Sequence, residues 1–323
     1  KTGLSTYFWT GSCLPKVYAL KLLEICNKPQ LLVGGHSRFD VKQGELGDCW
    51  LLAAMANLTM HDRLFNRVVP QDQSFSDDYA GIFHFYIWHY GRWIDVVVDD
   101  RLPTRDGRLL YLHSEESDEF WSALLEKAYA KLSGSYEGLK GGSTMEAAQD
   151  FTGGVTEYLD IKTRPKRFRR LMFMGFRLGS ILACSMMPNP SITEQRLENG
   201  LIRGHAYSVT GITVVNYKSK QLALVRVRNP WGDENEWNGA WSDKSPEWKA
   251  LGRDQKKSLS LQMNYYDFVK HFDKLDMCHL GPENAQETTS VSDSKTDMTT
   301  WQAAKHINEW LANKSAGGCR NFA

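Results

Sequence analysis

Apolar and polar positions along the chain follow two different periods. From Asp48 the run Cys49-Trp50-Leu51-Leu52-Ala53-Ala54-Met55-Ala56-Asn57-Leu58 is rich in helix formers and apolar on nearly every side. It predicts a buried helix with Asp48 as N-cap and Cys49 in its first turn. Residues 82–90 and 92–98 are β-branched and aromatic and meet at Gly91, which predicts a hairpin. Phe120, Leu124, Ala128 and Leu132 share one face of a predicted amphipathic helix from Glu119 to about Leu132. Near the start, Pro15 stands ahead of a helical pattern at Val17, Leu20 and Leu23.

A second hairpin is expected from His205–Val215 and Gln221–Arg228, turning through the polar segment 216–220. With the turn centred near Lys218, Tyr207 falls opposite Asn229, and His205 comes within diagonal reach of Asn229 at the open end. Glycines cluster at Gly134, Gly138, Gly141, Gly142, Gly153 and Gly154, which places a domain boundary near residue 144. Residues 282–300 are polar and Ser/Thr-rich and read as a linker. The expected division is therefore 1–144, 145–281 and 282–323.

Composition narrows the classes. With 323 residues, 42% of them apolar, the chain has enough for two full cores, and 39 Lys+Arg against 38 Asp+Glu exclude a nucleic-acid binder that works by overall charge. No apolar run approaches the roughly 20 residues of a membrane span, which reads as a soluble chain. Six cysteines stand without a C-x-x-C pair and read as reduced cytosolic thiols, so the expected location is cytoplasmic. Sequons at Asn57 and Asn313 argue only weakly for secretion. The chain begins at Lys1 with no signal-like segment after it, and reads as an excised fragment.

Candidate chemistry centres on Cys49. A helix N-terminus offers unpaired N–H groups and a positive dipole end, which favour a thiolate. Just upstream, Gln43-Gly44-Glu45-Leu46-Gly47-Asp48 supplies two glycines for close backbone approach and a side-chain amide able to donate to an oxyanion. Most buried cysteines only pack, so the setting rather than the residue carries this reading.

Gln43 to Ala54, QGELGDCWLLAA, resembles the active-site segment of the calpains, calcium-dependent cytosolic cysteine proteases of papain-like fold. The resemblance continues in family order through Tyr79–Phe85, Glu119–Tyr129, Asp150–Val155, Gly204–Gly211 and Arg228–Gly232, covering about residues 30 to 281. It implies an α+β, papain-like fold of two lobes, a helix-rich lobe carrying Cys and a β-rich lobe carrying His and Asn, with the cleft between them. Cys49 would be the nucleophile, His205 the general base and later acid, Asn229 the group that orients the imidazole, and Gln43 the oxyanion-hole side chain. Trp231, with Trp50 beside the nucleophile, is similar to the family's cleft aromatics, and the family's Trp at position 231 wedges the lobes apart until calcium draws them together. The segment 315–322 is similar to the start of the β-sandwich that follows the calpain protease core.

The same resemblance implies two calcium ions. The first maps to the carbonyls of Val33 and Gly35 with the side chains of Asp40 and Glu119, the second to Glu236 and Asp243. A further acidic loop of the family is missing ahead of Tyr266, where the chain reads Ser258-Leu259-Ser260-Leu261-Gln262-Met263-Asn264. Either the second site is weakened, or the natural protein carries a loop that this sequence lacks. Arg38 matches the Arg of a family salt bridge between lobes but has no carboxylate partner.

One segment is left over. Lys162 to Arg177 holds seven basic residues and no acid, with Phe168, Leu171, Met172 and Phe176 at helical spacing. A solvated charged face is the ordinary reading. The sharper one is contact with an anionic membrane surface through Lys166, Arg167, Arg169 and Arg170, with membrane association on calcium. The expected function is limited proteolysis of protein substrates, with a regulatory subunit or inhibitor protein as further partners. Two rivals are weighed against it: a transglutaminase, which uses Asp where this chain has Asn229, and an inactive calpain-like scaffold, against which Cys49, His205 and Asn229 all speak.

Overall fold

The computed structural model describes residues 17–76, 78–189, 194–232, 237–250 and 262–281. The expected linker, the segment 315–322, Asn313, Glu236 and residues 258–261 lie outside them.

The first part of the chain folds as β1 (Tyr18–Lys21), α1 (Leu22–Ile25), α2 (Cys49–Leu58), α3 (Asp62–Val68), β2 (Ile82–His89), β3 (Arg92–Asp99), β4 (Arg101–Arg105), β5 (Arg108–Leu109), α4 (Trp121–Leu132) and α5 (Thr144–Thr152). All ten residues of α2 are buried, as a helix apolar all round must be. Leu51, Leu52 and Met55 share one core with Phe65, Phe85, Trp121 and Phe151. Each such side chain contributes about 1.5–3 kcal/mol by leaving water. Burial on every side fixes α2, and with it Cys49, against translation or rotation.

One expectation changes here. The pattern at Val17, Leu20 and Leu23 reads as helix, but Tyr18–Lys21 is a strand paired antiparallel with β4, Tyr18 opposite Thr104, and only Leu22–Ile25 is helical. Tertiary pairing overrides a short local pattern. α5 places Ala147, Ala148 and Phe151 in the first core, which also takes in Ile181, Ala206, Cys278 and Leu280 from later in the chain. Gly154 is pressed against the His279 carbonyl, where an added Cβ would sit 2.5 Å away.

The second part contains β6 (Val155–Asp160), α6 (Phe168–Arg177), β7 (Ile181–Ser185), β8 (Gln195–Arg196), β9 (Ile202–Arg203), β10 (Ala206–Tyr217), β11 (Lys220–Arg228), α7 (Pro246–Lys249), β12 (Gln262–Asn264), α8 (Tyr265–His271) and β13 (Lys274–His279). Its main sheet runs β12-β11-β10-β7-β13-β6. Phe168 and Met172 of α6, with Phe268 of α8 and the following Phe272, cover Leu182, Val209, Val225 and Leu275 as a separate core. Helices against helices in one half and an antiparallel sheet in the other make the α+β, two-lobed arrangement.

Within the sheet, β10 and β11 turn through Lys218-Ser219, both at positive φ (47° and 63°), as a two-residue hairpin turn requires. Tyr217 faces Lys220, and the pairing shifts by one residue at a bulge between Val209 and Gly211, after which Ser208 faces Arg228. Direct bonds join the two cores. Asn57 Nδ2 donates to Leu182 O at 2.8 Å, Gln43 N–H to Pro230 O at 3.1 Å, and Arg228 Nη2 to Val41 O at 2.8 Å. Asn57 is wholly buried, so its sequon offers no glycan acceptor. Cys26, Cys49, Cys184 and Cys278 are free thiols, and no described helix is long and apolar enough to cross a membrane.

Candidate active site

Between the two cores lies a cleft of about 1060 Å³, lined on one side by Gln43, Cys49, Trp50 and Gly142 and on the other by Glu194, His205 and Trp231. Cys49 is the first residue of α2 and is 9% exposed at the cleft floor. Its thiol therefore faces the unpaired N–H end of a helix whose remaining turns are locked in the core. Asp48 occupies the N-cap position yet makes no side-chain capping bond. Its carboxyl turns inward toward Glu126 of α4 instead. Burial raises the Asp48 pKa to about 7, and burial with the facing Asp48 charge raises that of Glu126 well above the usual carboxylate range.

His205 stands just before β10 and Asn229 just after β11, so the hairpin register brings them together. His205 Nε2 lies 2.7 Å from Asn229 Oδ1, and both residues are buried, at 1% and 4% exposure. Asn229 Oδ1 also accepts the Trp231 N–H at 3.0 Å. The Trp231 ring packs beside the imidazole, centroids 5.2 Å apart. Cys49 Sγ, a carboxylate oxygen of Glu194 and a ring nitrogen of His205 lie within 4.8 Å of one another. Burial opposes protonation of His205, but the adjacent Cys49, the Glu194 carboxylate and Asn229 outweigh it and push its pKa up to about 9. This setting favours the imidazolium form of His205.

Gln43 Nε2 donates to Leu46 O at 2.6 Å and lines the cleft near Cys49, which leaves its second amide hydrogen for a ligand. Trp50 is 6% exposed and donates from Nε1 to Leu139 O at 2.8 Å. Gly142 is required against it, since a Cβ there would lie 2.3 Å from the indole.

The residues matched to a first calcium site also gather. Asp40 accepts from Ser37 N and Ser37 Oγ, both at 2.6 Å, and from Trp121 Nε1 at 3.2 Å. Glu119 precedes α4 rather than starting it, and its carboxylate accepts from Val33 N–H at 2.8 Å and Ser114 Oγ at 2.7 Å. Gly34 and Gly35 both take positive φ in the intervening loop. Burial, reinforced by the like charge of Asp40, raises the Glu119 pKa to about 7. Two buried carboxylates beside a glycine loop, with neither in an ion pair among the described residues, suit a hard cation with oxygen ligands. Asp243 is exposed beside the buried Trp241, while its expected companion Glu236 is outside the described residues. Arg38 has no ion pair among the described residues and shares a small pocket with Arg226 and Arg228. Burial first, and Arg38 second, lower the Arg226 pKa to about 10.

Glu194, beside His205 in the cleft, is a residue that sequence reading did not single out. It lies eleven positions ahead of His205 in a polar stretch without periodicity, so no spacing rule points to it.

Comparison with known proteins agrees with this geometry. The family model described as calpain family cysteine protease matches residues 14–279. Calpain clp-1 of Caenorhabditis elegans is 51% identical over 326 residues, covering 98% of this chain and 42% of the relative. Calpain-A of Drosophila melanogaster is 50% identical, covering 93% of this chain and 37% of its own length. Calpain-9 of Rattus norvegicus is 49% identical, at 93% and 43%. The chain thus spans about two fifths of the length of these relatives. With the cleft, the Cys-His-Asn set and the family match in agreement, the chain belongs to the calpain family of cysteine proteases.

Proposed function

We propose that this chain is the protease core of a calcium-activated cysteine endopeptidase that cuts extended protein segments in a limited way. The observation that carries the reading is the buried His205–Asn229 bond at 2.7 Å with Cys49 Sγ beside the same imidazole. Cys49 attacks the scissile carbonyl as thiolate, and His205 holds the proton it gave up and delivers it to the leaving amine. Asn229 keeps the ring in plane. The Cys49 N–H and the Gln43 amide face the position where the oxyanion develops. The long open cleft favours a polypeptide substrate over a small molecule.

Calcium, when bound, supplies positive charge where Asp40 and Glu119 are buried together. Those two carboxylates with the Val33 and Gly35 carbonyls are the residues that would hold it, and a second ion would need Glu236 and Asp243. Trp231, packed on His205, is the candidate gate between open and closed lobes. A regulatory subunit or inhibitor protein, a cytoplasmic location and contact with anionic lipid belong to the same reading. For the lipid contact, α6 turns Phe168, Met172 and Gly175 inward and leaves Leu171, Met174 and Leu178 exposed among Arg167, Arg170 and Arg177. That is an apolar seam inside a basic face.

Casein cleavage tests the central claim. Cutting with calcium, none with a chelator and none after Cys49→Ala supports it. Fluorescent-amine incorporation into casein without cleavage would point to a transglutaminase instead.

A further inference from the structure

His205 Nδ1 is buried, and no well-formed hydrogen bond saturates it among the described residues. Glu194 Oε1 stands 3.5 Å away, and Cys49 Sγ belongs to the same cluster within 4.8 Å. A thiolate, an imidazole nitrogen and a carboxylate oxygen therefore converge on one point at the cleft floor. The acyl-transfer mechanism uses the first two and has no step for the third. Nothing in it requires an anion beside an imidazolium that already has a thiolate partner.

Sulfur, nitrogen and oxygen donors in one set suit borderline divalent transition cations, above all zinc, and not calcium, which selects oxygen. A tetrahedral zinc holds its donors roughly 3.5 Å apart, with bonds of about 2.0–2.3 Å. The three donors here need to draw in by about an ångström. Glu194 has a side chain one-third exposed at the cleft edge, where rotation about its own bonds supplies that movement. Asn229 already fixes the proton on Nε2, which leaves Nδ1 as the lone-pair donor in the neutral ring, as a metal ligand requires. The fourth position opens into the cleft, where water would complete the shell.

We propose that Cys49, His205 and Glu194 form an inhibitory site for zinc or a similar transition cation, distinct in chemistry from the calcium ligands. Occupancy takes the nucleophile and the base at once, and it releases the proton that the thiolate–imidazolium pair holds. Glu194 is the ligand that raises this above the weak metal affinity of a bare Cys-His pair. The inference rests on the protease reading for its consequence, inhibition, but not for the binding itself.

The test uses the calcium-loaded protein and two readouts. Hydrolysis of a fluorogenic peptide is titrated with zinc, each variant being normalised to its own zinc-free rate in calcium. In parallel, cobalt(II) is added as a spectroscopic probe of tetrahedral, thiolate-containing coordination. The expected result is chelator-reversible inhibition by zinc, at least tenfold weaker in Glu194→Gln and Glu194→Ala. The cobalt spectrum should show a thiolate charge-transfer band that is lost in Cys49→Ala and weakened in Glu194→Gln. Equal zinc inhibition of the wild type and Glu194→Gln overturns the proposal, even if that variant shifts the pH profile as a plain counter-ion would. An octahedral cobalt spectrum without the thiolate band overturns it as well. Absence of peptide hydrolysis in calcium-loaded, zinc-free wild type would count against the protease reading alone, since the cobalt spectrum still reports the site.

Discussion

Asn229 Oδ1 receives two donors, the Trp231 backbone N–H at 3.0 Å and His205 Nε2 at 2.7 Å. The first has only a donor to offer, so the atom it meets is the amide oxygen, and the imidazole must then donate from Nε2. The tautomer of His205 follows from a backbone group on the far side of Asn229. Asn229→Ala removes this constraint. The expected loss is on the order of 10²-fold in kcat with a smaller change in KM, measured on a peptide substrate at saturating calcium. An unchanged kcat would show that packing by Trp231 alone orients the ring.

Removing a carboxylate from the candidate calcium loop should raise the calcium needed for activity. Asp40→Asn keeps shape and hydrogen-bonding capacity while deleting one charge. Its calcium midpoint should move up by about tenfold or more, with maximal activity largely restored at high calcium. A calcium titration of wild type and variant checks this, and coincident curves would place the ion elsewhere.

Gly142→Ala tests the close approach beside the nucleophile. The added methyl would lie 2.3 Å from the Trp50 ring, and that ring is held by its bond to Leu139 O. Overpacking of this kind costs about 1–3 kcal/mol. A lowered thermal midpoint in calorimetry is the expected outcome.

The pair Asp48 and Glu126 gives stability a definite dependence on pH. Burial lifts the Asp48 pKa from the ordinary 3.8 to about 7, so the folded protein keeps a proton that the unfolded chain releases above about 4. Stability then falls as pH rises from about 4 toward 7 and levels off above it, the unfolded state binding fewer protons throughout that window. Glu126 acts in the same direction. Asp48→Asn should lose less of its thermal midpoint between pH 5 and pH 7.5 than the wild type. Parallel pH curves for the two proteins would refute this assignment.

Charge reversal on α6 addresses the membrane reading. Each basic residue near an anionic surface contributes about 1 kcal/mol, so Arg167→Glu with Arg169→Glu and Arg170→Glu should weaken binding to phosphatidylserine vesicles by on the order of 10²-fold. Flotation with neutral vesicles provides the comparison. Equal binding to both lipids, or none to either, ends the idea.

Much of this site was legible because its parts are local. The burial of α2 follows from ten residues without a polar face, and the Cys49 position follows from the N-cap. The meeting of His205 and Asn229 was legible for a less secure reason. Counting from a turn centred on Lys218 puts Tyr207 opposite Asn229, whereas the actual turn lies between Lys218 and Ser219. The bulge between Val209 and Gly211 takes up that difference, so the pairing Ser208–Arg228 agrees with the simple count only because two offsets cancel. Glu194 and the inward turn of Asp48 stayed hidden. Both depend on what stands across a tertiary contact, and a polar residue carries no periodic mark of such a neighbour. The strand at Tyr18–Lys21 was missed for the same reason, its partner β4 being some eighty residues away.

The short segment Val41-Lys42-Gln43 has a further consequence. Val41 O takes Arg228 Nη2, Lys42 exchanges both backbone bonds with His113, and Gln43 N–H reaches Pro230 O. At its upstream end is Asp40 and at its downstream end the Gln43 side-chain amide, which lines the cleft. These three residues work as a tie rod, clamped at the middle by one lobe and at both ends by the other. Asp40, Gln43 and the turn that follows Asn229 are thus joined through one short segment, each end of which is bonded across the cleft.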